Sequence, residues 1–190
     1  MNILASEKSA KEELPIILFE TPADWLAWLE TNHASSKGLW VRLAKKAAKI
    51  SSIDYSQTLE GALCYGWIDG QKKSYDDESW LQKFTPRGAK SIWSKINREK
   101  AQALIDNGQM RPAGLAAIAA AQKDGRWEAA YDSQSNATVP DDFQAALDGN
   151  EKAKSFFASL NRVNRYAILF RIHQAKRAET RAKRINDFIA

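Results

Sequence analysis

Leu63-Cys64-Tyr65-Gly66-Trp67-Ile68-Asp69-Gly70 constrains this chain more than any other stretch. An apolar helical pattern runs into it, two glycines punctuate it, and a hairpin pattern leaves it. Glycine ends a helix without steric cost in a left-handed conformation. The helix leading in opens at Asp54-Tyr55-Ser56-Gln57, which has the look of a capping box, and its inner face is Leu59, Ala62, Leu63 and Gly66. Gly66 and Gly70 are read as its end. Gln71 to Tyr75 and Trp80 to Thr85 then read as two strands, joined by the polar turn Asp76-Asp77-Glu78-Ser79.

The flanks extend this pattern. Leu14-Pro15-Ile16-Ile17-Leu18-Phe19 is a short apolar run expected to be a strand. Thr21-Pro22-Ala23-Asp24 starts a helix, with Thr21 as cap and Pro22 in the first turn. Trp25, Trp28 and Leu29 make its apolar stripe, His33 lies near its end, and Gly38 to Ala44 reads as a further strand. Downstream, a helix is expected over Ser91 to Asp106, with Trp93, Ile96, Lys100, Ala103 and Leu104 along one face, and another from Pro112 to about Gln122. Ser133 to Thr138 is polar and aperiodic. Beyond Pro140 everything reads helical, over about 141–147, 151–160, 162–175 and 179–189, with Leu160, Val163, Ala167 and Phe170 as an inner stripe. The expected fold is therefore α+β: a small, mainly antiparallel sheet of about four strands packed with helices, followed by an all-helical C-terminal segment. The expected domains are an α+β core over 14–132, a linker over 133–138, and a helical segment over 139–190 packed on the core.

Charge narrows the function. Residues 151–190 carry ten Lys and Arg against three acids, and the other 150 residues carry eighteen against twenty. Such asymmetry suggests an anionic partner, with a solvated helix face as the plainer alternative. Cys64 is the only cysteine, which excludes an internal disulfide and a cysteine-built zinc site and fits a cytoplasmic protein. Met1 to Glu13 lacks the apolar stretch of a secretory signal and reads as a frayed tail. No run is long and apolar enough for membrane insertion. His33 and His173 have no metal-ligand spacing, and Asp76, Asp77 and Glu78 are adjacent residues in a turn, poorly placed to converge on one ion. No cofactor or metal is expected.

Two sets of residues remain as candidates. Trp67, Asp69, Arg87, Trp93 and Asn97 have the chemistry of a ligand pocket: a carboxylate, an arginine fork and stacking surfaces. They have ordinary uses too, in a turn, an ion pair and a core. Arg177, Arg181 and Arg184 fall on one side of the last helix and would suit phosphates, or would clamp the tail to nearby acids. An enzyme using Asp69 as acid or base is a third reading, and no nucleophile or phosphate loop accompanies it.

Cys64-Tyr65-Gly66-Trp67-Ile68-Asp69-Gly70, Phe84-Thr85-Pro86-Arg87, Trp93-Ser94 with Asn97, Gly108 to Gly114, and Ala175 to Arg181 with Arg184-Ile185 together resemble the YdeI/OmpD-associated (bacteriocin-protection) family. The resemblance runs from about Phe19 to Ile189. It implies a compact fold of the YjbR/CyaY-like grouping, a small bacterial protein linked to envelope stress and bacteriocin tolerance, and no particular reaction. The expectation is a non-enzymatic binding protein with an anionic small-molecule or macromolecular partner, nucleic acid being one option. Ala178 stands where a proline is common just before the Glu-Thr-Arg, which bears on the break between the last two helices.

Overall fold

The computed structural model describes residues 13–190, so the tail expected over Met1 to Glu13 lies, but for Glu13, outside the described residues. The chain forms two compact units. One comprises residues up to Ser91 together with Lys100–Asp124, and the other Ile92–Glu99 together with Gly125–Ala190.

The first unit is built from β1 (Ile16–Leu18), α1 (Pro22–Asn32), β2 (Leu39–Ala44), α2 (Tyr55–Cys64), β3 (Trp67–Ser74) and β4 (Ser79–Pro86). The strands form one sheet in the order β1-β2-β4-β3; β1 and β2 are parallel, and the other pairs are antiparallel. Both helix starts are made by local chemistry. Thr21 Oγ1 accepts the Asp24 N–H at 3.2 Å while the Asp24 carboxylate accepts the Thr21 N–H at 3.1 Å. Asp54 and Gln57 repeat the exchange at 2.8 and 2.9 Å. Leu39, Val41, Leu43 and Phe84 point to one face of the sheet and are buried. There the Trp25 ring meets Phe84 at 5.9 Å, and Trp28 stands edge-on to Trp67 at 5.7 Å. The indole N–H of Trp25 donates to the Thr58 carbonyl at 2.9 Å, so this fully buried ring leaves no polar atom unsatisfied.

Trp67 to Gly70 are not the end of a helix, as their glycines suggest, but the start of β3. Helix α2 stops at Cys64, and Gly66, at φ +71°, turns the chain. Trp67 then pairs with Pro86, and Asp69 with Phe84. Gly70 sits at a register irregularity between Asp69 and Lys72, where the Gln82 amide donates to the Gly70 and Gln71 carbonyls at 2.9 and 3.3 Å. Helix α3 (Lys95–Asp106) crosses the division between the units, and α4 (Pro112–Lys123) follows in the first. Of the face read along α3, Leu104 is buried and Ile96 is exposed, with Ala101 taking the inner place. The start of α4 lies hard against the end of α2. A Cβ on Gly114 would collide with the Cys64 carbonyl and stand 2.8 Å from that of Leu63.

In the second unit, α3 begins at Lys95 rather than Ser91. Ser94 Oγ accepts the Asn97 N–H at 3.1 Å and so acts as the cap. The residue pair Ser94 and Tyr131 forms a parallel bridge, with the Tyr131 N–H on the Trp93 carbonyl at 3.0 Å. The rest is α5 (Asp141–Asp148), α6 (Glu151–Ser159), α7 (Arg162–His173) and α8 (Ala178–Ile189), around a core of Phe143, Leu147, Leu169, Ile172 and Ile185. The inner stripe of α7 differs from the expected one. Val163 is 63% exposed and Ala167 is also exposed, while Leu169 and Ile172 face the core. Both stripes have helical spacing, and only the position of Phe143 and Ile185 chooses between them. Helix α8 starts at Ala178 without a proline, Arg177 being extended before it.

No described helix is long and apolar enough to cross a membrane.

Candidate functional site

The five candidate pocket residues divide between the units: Trp67, Asp69 and Arg87 in the first, Trp93 and Asn97 in the second. Trp67 is buried, and its indole N–H donates to the His33 carbonyl at 3.1 Å. Asp69 accepts the Tyr55 hydroxyl at 2.8 Å, with Tyr55 itself 6.2 Å from the Trp80 ring. Arg87 leaves β4, its N–H on the Gly66 carbonyl at 3.0 Å. Trp93 is buried edge-on to Trp127 at 4.8 Å, and the Asn97 backbone joins the Ser94 cap. These contacts all lie within one unit or the other.

The basic tail is engaged internally as well. Arg181 grips both oxygens of Asp142, at 2.6 and 2.8 Å, and donates to the Ile172 carbonyl at 3.1 Å. These hydrogen bonds hold the Asp142 carboxyl below its ordinary range. Arg184 donates to the Arg171 carbonyl. Arg177 precedes α8 and is exposed.

A cleft of about 370 Å³ opens elsewhere in the first unit. Its walls are Pro22 and Leu26 of α1, Gln57, Glu60, Gly61 and Cys64 of α2, and Leu104 with the Gly108–Arg111 loop. The loop is placed by the glycine contact described above and by the Arg111 N–H, which reaches the Cys64 carbonyl at 3.2 Å. The Glu60 carboxylate is taken up by Lys100 at 2.8 Å and by the Ser56 hydroxyl at 3.1 Å. The Tyr65 hydroxyl donates to Glu30, and Arg111 is near enough to act on the Tyr65 hydroxyl electrostatically. Burial pushes the Cys64 thiol up and Arg111 pulls it down less strongly, so the thiol stays protonated at neutral pH. The cleft thus offers a mixed apolar and polar wall that includes the Arg111 cation, and its thiol is not activated. Sequence reasoning missed Arg111 as a site residue. Its signal was present: an arginine directly before the Pro112 helix start, inside the Gly108 to Gly114 motif.

Residues 17–117 match the family model described as domain of unknown function (DUF8412). The chain belongs to that family. A second model, described as Bacteriocin-protection, YdeI or OmpD-Associated, matches residues 136–190. The similarity to the bacteriocin-protection family is thus carried by the C-terminal helices, and the motifs from Cys64 to Gly114 fall under the first model. No curated protein and no solved structure matches the chain.

Proposed function

We propose that this is a cytoplasmic, non-enzymatic binding protein that serves bacteriocin tolerance by holding a small ligand with an anionic head and an apolar body. The observation that carries this reading is the cleft between α1, α2 and the 108–111 loop, lined by Arg111 together with Leu26 and Leu104. Pockets of this kind fix a ligand by a few placed polar groups and an apolar lining. An arginine fork is the group suited to a carboxylate or phosphate. The link to bacteriocin tolerance rests on the family matched by residues 136–190, and the YjbR/CyaY-like grouping belongs to the same reading. The protonated Cys64 and the paired Glu60 favour binding over catalysis. The internal bonds of Arg181 and Arg184 favour a clamp over a phosphate surface for the tail.

A thermal-shift panel of small carboxylates and phosphates with apolar tails tests the reading. Several members should raise the melting temperature of the parent, and Arg111→Gln should abolish the rise while melting alone as the parent does. A panel with no stabilising member, or one that stabilises Arg111→Gln equally, would refute the cleft as the site.

A further inference from the structure

The sheet has a second face, opposite the one on which Trp25 and Trp28 pack, and its residues follow from the register. Paired residues in a sheet share a face, so Trp40 and Lys83 stand together there, as do Arg42, Leu81 and Lys73. Ile16 of β1 lies beside Trp40, and Tyr75 follows β3 at the far edge. The exposed end of this face is not simply apolar. Lys73 Nζ stands 4.3 Å from the centre of the Trp40 ring, and the Arg42 guanidinium 5.2 Å from that of Tyr75. Tyr75 is 49% exposed and Ile16 44%. Among the described residues the acid bonded to this group is Asp76, which is held by Arg42 and by the Ser79 hydroxyl, so that Lys73 and Lys83 stand as cations above the sheet.

We infer that this face binds single-stranded nucleic acid. A nucleotide has two recognisable parts, a π-faced base and a phosphate; the Lys73–Trp40 pair supplies a partner for both, with Lys83 beside it and the Tyr75 ring as a second stacking surface. A phosphate that draws Lys73 off the Trp40 ring leaves that ring open to a base. Aromatic stacking of that kind is tolerant of sequence, and the cations follow the backbone. Trp40 and Tyr75 stand roughly 16 Å apart, taking 3.3 Å per residue along a strand and 4.8 Å between strands, which is the span of a few nucleotides. A duplex hides its base faces and would meet only the cations. The inference is independent of the cleft reading, because Arg111 belongs to neither ring–cation pair.

The test is fluorescence anisotropy with a fluorescein-labelled oligothymidylate and a duplex of equal length, at low and moderate salt. The single strand should bind more tightly than the duplex, and binding should weaken as salt rises. Tyr75→Ala should reduce affinity at least about fivefold, the size expected for one stacked base. Lys73→Gln with Lys83→Gln, at two side chains outside the core, should flatten the salt dependence, and Arg111→Gln should leave binding unchanged. No binding at low salt would overturn the inference. So would equal binding of the duplex, or affinity that survives both the tyrosine and the lysine changes.

Discussion

Gly114 and Asp142 show how single positions hold each unit. Gly114 lies where α4 meets the last carbonyls of α2, and a side chain there would run into the Cys64 and Leu63 carbonyls as well as the Met110 sulfur. Gly114→Ala should therefore cost about 1–3 kcal/mol of stability, as overpacking does, and lower the melting temperature. A melting curve unchanged from the parent would contradict the close approach. Asp142 titrates below its ordinary value because Arg181 hydrogen-bonds its charged form. A depressed folded value means the contribution is complete above the unfolded pKa of about 3.9 and is lost as pH falls through the lower folded one. The pair is partly exposed, so its worth is about 1 kcal/mol. Arg181→Ala should lower stability at neutral pH by that amount and by progressively less as the solution is acidified toward that window. A constant difference down to strongly acid pH would show that Arg181 acts by packing alone.

The hairpin of β3 and β4 depends on its turn. Asp76 Oδ1 accepts the Glu78 and Ser79 N–H groups at 3.0 and 2.7 Å and the Ser79 hydroxyl at 2.6 Å, while Arg42 donates to Oδ2 at 2.8 Å. Asp76→Ala should lower the melting temperature and weaken amide protection through Lys72 to Leu81, whereas Asp77→Ala should change neither. Equal effects of the two would mean that the turn needs only polar residues. The turn, the Thr21 cap and the Asp54 capping box were readable because their chemistry lies within three or four neighbouring residues. Trp67 to Gly70 was misread for the opposite reason. Gly66 does end the helix, but the next residues become a strand by pairing with Asp69's and Trp67's partners Phe84 and Pro86, some fifteen to twenty positions away. The inner face of α7 was equally non-local, since two stripes fit the helical period and Phe143 and Ile185 decide between them.

The candidate cleft was the least legible feature, because it is made by segments that no local pattern links: the start of α1, one side of α2, the end of α3 at Leu104, and a loop ending at Arg111. The α+β character and the helical tail were legible, as their periodicities are long and regular. The two units have separate sets of buried residues, and this can be tested. Ile172 is fully buried in the second unit, so Ile172→Ala should cost about 2–5 kcal/mol. Hydrogen exchange should place the lost protection mainly in α5 to α8; a loss spread equally over β2 and β4 would show that the units unfold as one. The most direct test of the binding account is a titration of the isotope-labelled protein with phenyl phosphate, followed by backbone amide NMR. The cleft predicts shifts concentrated at Glu60, Gly61, Cys64 and Gly108 to Arg111, and their loss in Arg111→Gln. Shifts absent at millimolar ligand, or unaltered by that substitution, would contradict it.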